Sequence, residues 1–126
     1  MTGSTRFSLE GSENFQRSFK KLGKLNGDGF KLLIGDCLEK LLADPYPSAS
    51  RLEPLPKTAN LPEGWTFHKL EQRIGKGASG QIRLMYLVNE ELAVIKPIWI
   101  YSHEQFVKRP NDKSINDAIK EIFSED

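Results

Sequence analysis

The length and composition of the chain restrict it to a small protein with one modest hydrophobic core. It has 126 residues, of which 38% are hydrophobic and 28% charged, with a formal net charge of +1. This balance is typical of a globular chain forming a single domain over 1–126, and it differs from that of a disordered segment. The near-neutral charge neither favours nor excludes a nucleic-acid partner, so the local clustering of basic residues has to decide.

Cysteine usage and the absence of long apolar runs predict a cytoplasmic protein. Cys37 is the only cysteine, so no intrachain disulfide can form. No apolar run approaches membrane-spanning length, and the N-terminus lacks the apolar region of a secretory signal. We therefore expect no membrane partner.

The N-terminal part of the chain predicts a strand and then a helical hairpin at 12–44. Alternation in Thr5–Glu10 favours a short strand, placed at 4–11. Ser12 should cap the first helix, which buries one apolar face and exposes a basic face opposite it. The apolar positions are Phe15, Phe19 and Leu22, and the basic ones are Arg17, Lys20, Lys21 and Lys24.

The second helix carries a wide apolar stripe that includes Leu33 and Cys37, and we interpret Cys37 as a core thiol. This helix should end at Asp44, because Pro45 disfavours helical geometry in the residue before it. Residues 45–62 contain five of the seven prolines and show no sustained period. They predict an ordered connection across the surface.

From Trp65 onwards the period changes to two residues, which predicts an antiparallel meander over 65–103. Pro97 interrupts the last strand and should lie at a bulge or an unpaired edge position. The three strands are expected at Trp65–Ile74, Gln81–Val88 and Leu92–Tyr101.

A C-terminal helix is predicted at 114–123, where Ser114 and Asp117 form an S-x-x-D capping pattern. The fold class that follows is α+β. An N-terminal strand and a helical hairpin pack on an antiparallel β-sheet, and the C-terminal helix completes the domain.

Strand register gathers polar residues on one face of this sheet. Matching the apolar faces of the first two strands across the 75–80 loop places Glu71 near Arg83. The last strand runs back alongside and brings Tyr101 and His103 towards the same end. The same face also carries Lys69, Arg73 and Met85.

The glycines of the 75–80 loop and Lys96 match short nucleotide-binding patterns, G-x-G-x-x-G and A-V-I-K. A dinucleotide site needs a helix after the loop, whereas Gln81–Val88 alternates like a strand. A kinase needs a glutamate-bearing helix, an H-R-D loop and a D-F-G motif after the lysine, and none follows. We interpret the loop as a hairpin connection; an ATP-binding fragment would require nucleotide affinity that depends on Lys96.

The order of elements resembles the RelE/ParE toxin superfamily over roughly Arg6 to Arg109. The motifs that carry the resemblance are D-P at the end of the second helix, L-x-x-L, G-Q-I-R-L-M-Y in the middle strand and I-Y-S-H at the end of the last strand. Members of this superfamily are small toxins, each paired with an antitoxin that wraps it. RelE-like members cleave mRNA in the ribosomal A site without a metal, and ParE-like members poison DNA gyrase.

The resemblance implies a RelE-like, ribosome-dependent mRNA endoribonuclease that uses no cofactor. Its implied partners are an antitoxin, the ribosome and mRNA. Arg83 occupies the position of the strand arginine that holds phosphate, His103 that of a catalytic residue after the last strand, and Glu71 is a candidate base. The RNA-binding candidates are Arg73, Lys76, Arg17, Lys20, Lys21 and Lys24.

Departures from the family pattern leave an alternative open. Many members carry an arginine after this histidine and a tyrosine soon afterwards, whereas here Glu104 follows His103 and the next aromatic residue is Phe106, which cannot transfer a proton. Tyr101 can take over that role unless alternation buries it. The alternative is a non-cleaving, ParE-like inhibitor that binds DNA gyrase, or a partner-binding module without catalytic activity.

Each candidate also has a structural interpretation. Arg83 and Glu71 can form a plain ion pair, and His103 can be a solvated residue at the end of a strand. The basic face of the first helix can be simply solvated. We interpret His68 as structural, because no second metal ligand stands near it in the sequence.

Overall fold

The computed structural model describes residues 6–123. A five-stranded sheet lies at the centre of the fold in this part of the chain. Within that range the order of strands across the sheet is β1-β5-β4-β3-β2, and the fold is α+β as predicted. The elements in chain order are β1 (Ser8–Leu9), α1 (Glu13–Asn26), α2 (Asp28–Ala43), β2 (Ser50–Leu52), β3 (Trp65–Arg73), β4 (Gln81–Asn89), β5 (Val94–Ser102) and α3 (Asp112–Phe123).

The central strands β3, β4 and β5 form the predicted antiparallel meander, and two short strands extend it. β1 pairs with β5 in parallel, a direction that the sequence did not predict, so the complete sheet is mixed. Part of the expected N-terminal strand, residues 4 and 5, lies outside the described residues. β2 pairs antiparallel with β3 and was not predicted, because three residues are too few to show alternation.

Pro97 lies at a β-bulge, which confirms one of the two predicted settings. Met85 of β4 faces Trp99, and Tyr86 faces Pro97, so Ile98 is the extra residue on β5. β1 ends before this point, and the outer edge of β5 is completed by α1. Asn14 Nδ2 donates to the Ile98 carbonyl at 2.8 Å on that edge.

The two faces of the sheet are covered differently. The hairpin face packs against α1 and α2, with Leu70, Leu84 and Tyr86 of the sheet in one apolar cluster with Phe15 and Leu41. We call the opposite side the α3 face. There Phe67, Met85, Leu87 and Tyr101 cluster with Ile115 and Ile119 of α3. This is the alternation that the sequence predicted for β3 and β4.

The helical hairpin follows the predicted pattern except for the width of one stripe. Ser12 caps α1, its hydroxyl accepting from Phe15 N at 3.0 Å. In α2, Leu33 is 48% exposed, so the prediction that it belongs to the buried stripe is wrong. The buried face of α2 is therefore narrower than the helical period of its apolar residues predicts. Cys37 packs against the core as expected, and burial raises the pKa of its thiol.

The C-terminal helix begins at Asp112, two residues before its predicted start. Asn111 Oδ1 accepts from Ser114 N at 2.8 Å, so Asn111 makes the contact that the capping pattern had given to Ser114. Asp117 instead pairs with Lys113 at 3.1 Å along the helix. Among the described residues no helix is long and apolar enough to cross a membrane.

The glycine-rich loop connects β3 to β4 as a hairpin through a short 3-10 turn at Ala78–Gly80. A Cβ atom on Gly80 would meet the backbone of Gly75 at 2.4 Å, so this close approach requires glycine. Lys96 pairs with Glu10 at 3.2 Å and lies over the Trp65 ring. It is six residues along β5 from Ser102, roughly 20 Å from the loop end of the strand at ~3.3 Å per residue, which argues against a shared ATP site.

Candidate functional site

The register of the sheet arranges polar side chains on the α3 face in three cross-strand ranks at the glycine-loop end. His103 N donates to Gln81 O at 2.9 Å and so extends the β4–β5 pairing past Ser102. From the loop inwards the first rank is Arg73, Gln81 and His103, the second is Glu71, Arg83 and Tyr101, and the third is Arg51, Lys69, Met85 and Trp99.

Three polar atoms in the first two ranks are buried without a hydrogen-bond partner among residues 6–123. They are Arg83 Nη1, Tyr101 Oη and His103 Nδ1. Arg83 and Tyr101 are direct cross-strand neighbours, and His103 is the diagonal neighbour of Arg83, a relation that places Cα atoms roughly 7–8 Å apart. Buried polar groups in folded proteins almost always have partners, so a cluster of three is notable.

Arg83 is held by Glu71. Its Nε lies 3.6 Å from Glu71 Oε2, and Arg51 Nη2 approaches the same oxygen at 3.5 Å. The Arg83 side chain is only 15% exposed, whereas that of Glu71 is 43% exposed. The carboxylate therefore occupies one side of the guanidinium and leaves Nη1 free for another acceptor.

Tyr101 is fully buried beneath this end of the sheet. Burial, with Glu53 adding to its effect and Arg83 opposing it, raises the pKa of the Tyr101 hydroxyl to about 12. The hydroxyl is therefore neutral near pH 7 and can donate a hydrogen bond. The Phe106 ring meets the Tyr101 ring edge to face at 5.6 Å and fixes its orientation.

Besides the ion pairs of Glu71 with Arg83 and Arg51, a second group of ion pairs forms around Glu53, next to the third rank. The Glu53 side chain is 5% exposed and is paired with Lys69 Nζ at 3.5 Å and Arg109 Nη1 at 2.8 Å. Arg109 also donates to Pro54 O at 2.7 Å and to Asp112 Oδ1 at 3.1 Å, which ties the loop after β2 to the start of α3. Sequence reasoning missed Arg51, Glu53 and Arg109, because the strand that positions the first two was not predicted.

The structure brings some of the predicted site residues together and leaves others apart. Arg73 lies in the first rank and donates to Gly75 O at 2.9 Å, with exposed Lys76 next to it in the loop. The basic residues of α1 are exposed as expected, and α1 packs along β5 from the hairpin side, so none of them is a cross-strand member of the ranks. These residues are Arg17, Lys20, Lys21 and Lys24. Arg17 and Lys21 approach the third rank only at Trp99.

His68 has the surroundings of a structural residue. Its ring is buried against Tyr46 and Tyr86, with centroid distances of 5.1 and 5.4 Å, and its Nε2 lies 2.7 Å from Thr66 Oγ1. Burial lowers the pKa of this imidazole. Residues 6–123 contain no group of three His, Cys, Asp or Glu side chains that could hold a metal ion.

Comparison with known proteins finds similarity in structure alone. No protein-family model matches the chain, and no curated protein matches its sequence. The free state of Escherichia coli toxin RelE, solved with two arginines changed to alanine, is 24% identical over 81% of this chain and 88% of its own, with a TM-score of 0.51. A chain of the archaeal RelE–RelB complex from Pyrococcus horikoshii OT3 is 13% identical over 77% of this chain and 94% of its own, with a TM-score of 0.52. The fold is therefore RelE-like, as the resemblance in the sequence implied.

Proposed function

We propose that this chain is the toxin of a toxin–antitoxin pair and that it cleaves mRNA on the ribosome without a metal ion. The RelE-like fold supports the class of protein. The observation that carries the chemistry is the set of unpartnered atoms Arg83 Nη1, Tyr101 Oη and His103 Nδ1 at one end of the α3 face. Leaving a buried polar group unpaired costs about 1–3 kcal/mol. The phosphate oxygens of RNA offer acceptors for the two donors, and the adjacent ribose 2′-hydroxyl offers a proton that His103 Nδ1 can accept.

The reaction is attack by a ribose 2′-hydroxyl on the adjacent phosphorus. The bond from phosphorus to the 2′-oxygen forms and the bond to the 5′-oxygen breaks, so the products are a 2′,3′-cyclic phosphate and a 5′-hydroxyl. Arg83 Nη1 donates to the non-bridging oxygens, where charge increases in the transition state. Its planar guanidinium, steadied by Glu71, suits those oxygens.

One side chain handles the protons. His103 Nδ1 accepts the proton of the 2′-hydroxyl and returns it to the departing 5′-oxygen. Tyr101 is buried by the alternation of β5, so we assign its neutral hydroxyl a hydrogen bond and no proton transfer. Glu71 is the other candidate base from the sequence. Since its carboxylate faces two guanidinium groups, we assign it to hold Arg83 in place.

Arg73 and Lys76 extend the basic surface at the loop end of the ranks, and we assign them to the RNA backbone. An antitoxin partner is proposed because one of the similar structures is a RelE–RelB complex. A ribosome-dependent activity places the protein in the cytoplasm.

The test is cleavage of a defined mRNA by the full chain in a translation extract, with cut sites mapped by primer extension. Arg83→Ala should lower the cleavage rate by about 10²- to 10³-fold, the usual effect of removing one donor to a developing oxyanion. His103→Ala should lower it by about 10²- to 10⁴-fold. Lys113→Ala is the matched control, because Lys113 is 86% exposed on α3 and pairs only with Asp117 among the described residues.

Three results would each contradict a part of the proposal. Unchanged cleavage in both Arg83→Ala and His103→Ala would remove the mechanism. Intact mRNA together with gyrase-dependent DNA breaks would identify the non-cleaving, gyrase-binding class. Cleavage of naked RNA at the same rate as ribosome-bound mRNA would contradict ribosome dependence.

A further inference from the structure

A cavity of about 180 Å³ lies where α1 passes the outer edge of β5, and the proposed reaction does not use it. Two cations line it, Arg17 and Lys21, together with two aromatic side chains, Trp99 and Phe106. Pockets for whole small ligands usually enclose about 300–1,000 Å³. This cavity therefore suits one planar ring system with a charged group at its mouth.

Some polar side chains that line the cavity are already hydrogen-bonded to the protein backbone, and one keeps a free donor. Asn14 Nδ2 donates to Ile98 O at 2.8 Å, and Ser18 Oγ accepts from Ile100 N at 3.0 Å, so both complete the edge of β5. Gln105 Oε1 accepts from Ser102 N at 3.0 Å, which leaves its NH₂ group as a donor. A ligand would thus meet the cations and one amide donor.

The cations are only weakly engaged by the protein. Arg17 lies 3.9 Å from Glu13 and 3.9 Å from Glu121, both at the limit for an ion pair and both exposed. Such pairs contribute little to stability and are readily exchanged for another anion. Lys21 pairs with no acidic residue in the described part of the chain.

We propose that this cavity binds one nucleotide of an RNA chain, with its phosphate on Lys21 and Arg17. Because the Trp99 and Phe106 rings stand at 85° to each other, the base stacks on Phe106 and meets Trp99 edge to face. Aromatic rings accept any base by stacking, and cations at the mouth bind the backbone. The Phe106 ring also contacts Tyr101, with centroids 5.6 Å apart, so the bound nucleotide adjoins the proposed cleavage position. The identification of the occupant as RNA rests on the proposed function, but binding is measured without cleavage.

The experiment titrates the full chain carrying Trp65→Phe, so that Trp99 is the sole tryptophan reporter. Adenosine 5′-monophosphate should quench this fluorescence, and adenosine or ribose 5-phosphate should bind at least about 5-fold more weakly, because each lacks one half of the recognised group. Phe106→Leu should weaken binding of the nucleotide by roughly 5- to 150-fold, the range expected for one stacked base. For a short single-stranded RNA, Lys21→Ala should reduce the salt slope of binding by about 1.

Lys113→Ala is the control, since Lys113 is 86% exposed on α3, does not line the cavity and should not change the affinity. No quenching, equal binding of ribose 5-phosphate, or an equal loss in Lys113→Ala would each overturn the inference. If the nucleotide fails to bind while Arg83-dependent cleavage persists, only the cavity assignment falls. If it binds and mRNA stays intact, the proposed reaction falls and the binding site stands.

Discussion

Tyr86 and Tyr101 are both fully buried in the sheet, but on opposite faces and with opposite hydrogen-bonding states. Tyr86, on the hairpin face, donates its hydroxyl to Pro45 O at 2.7 Å. Tyr101, on the α3 face, has no partner for its hydroxyl within residues 6–123. For each residue, burial raises the pKa of the phenol to about 12.

This difference separates a face built for stability from a face that keeps binding capacity. On the hairpin face, apolar packing is continuous and the buried hydroxyl is satisfied. On the α3 face, the helix covers the apolar part, and the loop end retains unpaired donors and acceptors beside Arg83. Unpaired buried groups reduce stability, so their concentration at one end is the property expected of a binding site.

The largest expected effect on stability is that of a substitution in β4, where Leu84 and its neighbour Arg83 lie on opposite faces of the sheet. Leu84 is 3% exposed on the hairpin face, so Leu84→Ala should lower the free energy of unfolding by about 2–5 kcal/mol through lost burial and a residual cavity. Urea denaturation followed by circular dichroism measures this change. A loss below about 1 kcal/mol would show that the hairpin face is not the principal core.

Arg83→Met should have little effect on stability and a large effect on cleavage. The replacement removes the unpartnered donor Nη1 together with the 3.6 Å pairing of Nε to half-exposed Glu71, so stability should stay within about 1 kcal/mol of the original. Under the proposed reaction, mRNA cleavage should nevertheless fall by about 10²- to 10³-fold. Paired denaturation and cleavage assays check both effects, and a large loss of stability would indicate that Arg83 is a structural ion-pair residue.

Alkaline pH should lower the stability of the protein through both Tyr86 and Tyr101, over the same pH range. Because the pKa in the folded state, about 12, lies above the usual value of 10, the contribution to stability is complete below pH 10 and is lost as pH rises towards 12. Each tyrosine should contribute on the order of 2 kcal/mol to this loss. Denaturation midpoints from pH 9 to 12 measure it, and Tyr101→Phe should remove about half of the dependence.

The smallest effect concerns the two hydroxyls near pH 7. Tyr86→Phe leaves Pro45 O without its donor and should cost about 1–2 kcal/mol, whereas Tyr101→Phe removes an unpaired group and should cost nothing or stabilise. Thermal unfolding of the two variants under one condition makes the comparison. Equal losses would contradict the distinction between the faces.

Much of the fold could be predicted from local patterns. The alternation of β3 and β4 identified the two faces and placed Glu71 opposite Arg83, where the register puts them. The Ser12 cap and the bulge at Pro97 also follow from the chemistry of single residues. β2 could not be predicted, because a three-residue strand is defined by its pairing with β3 and has no period of its own.

The candidate site was predictable only in part for a similar reason. Arg83 and Glu71 lie on long strands and His103 directly follows one, so alternation and register were enough to group them. Arg51, Glu53 and Arg109 enter through a short strand and a loop, and they meet the site by contacts between residues far apart in the chain. The basic face of α1 was recognised, but its position at the edge of β5 was not.

The residue pattern alone specified the elements, their apolar faces and the polar side of the sheet, because helix and strand periods are local properties of the chain. The three-dimensional arrangement settled which polar atoms are buried, which find partners and which do not. Hydrogen-bond satisfaction depends on groups from separate segments meeting at about 3 Å, and no local period encodes that distance. For this reason the unpaired atoms of Arg83, Tyr101 and His103 emerge only when the chain is folded.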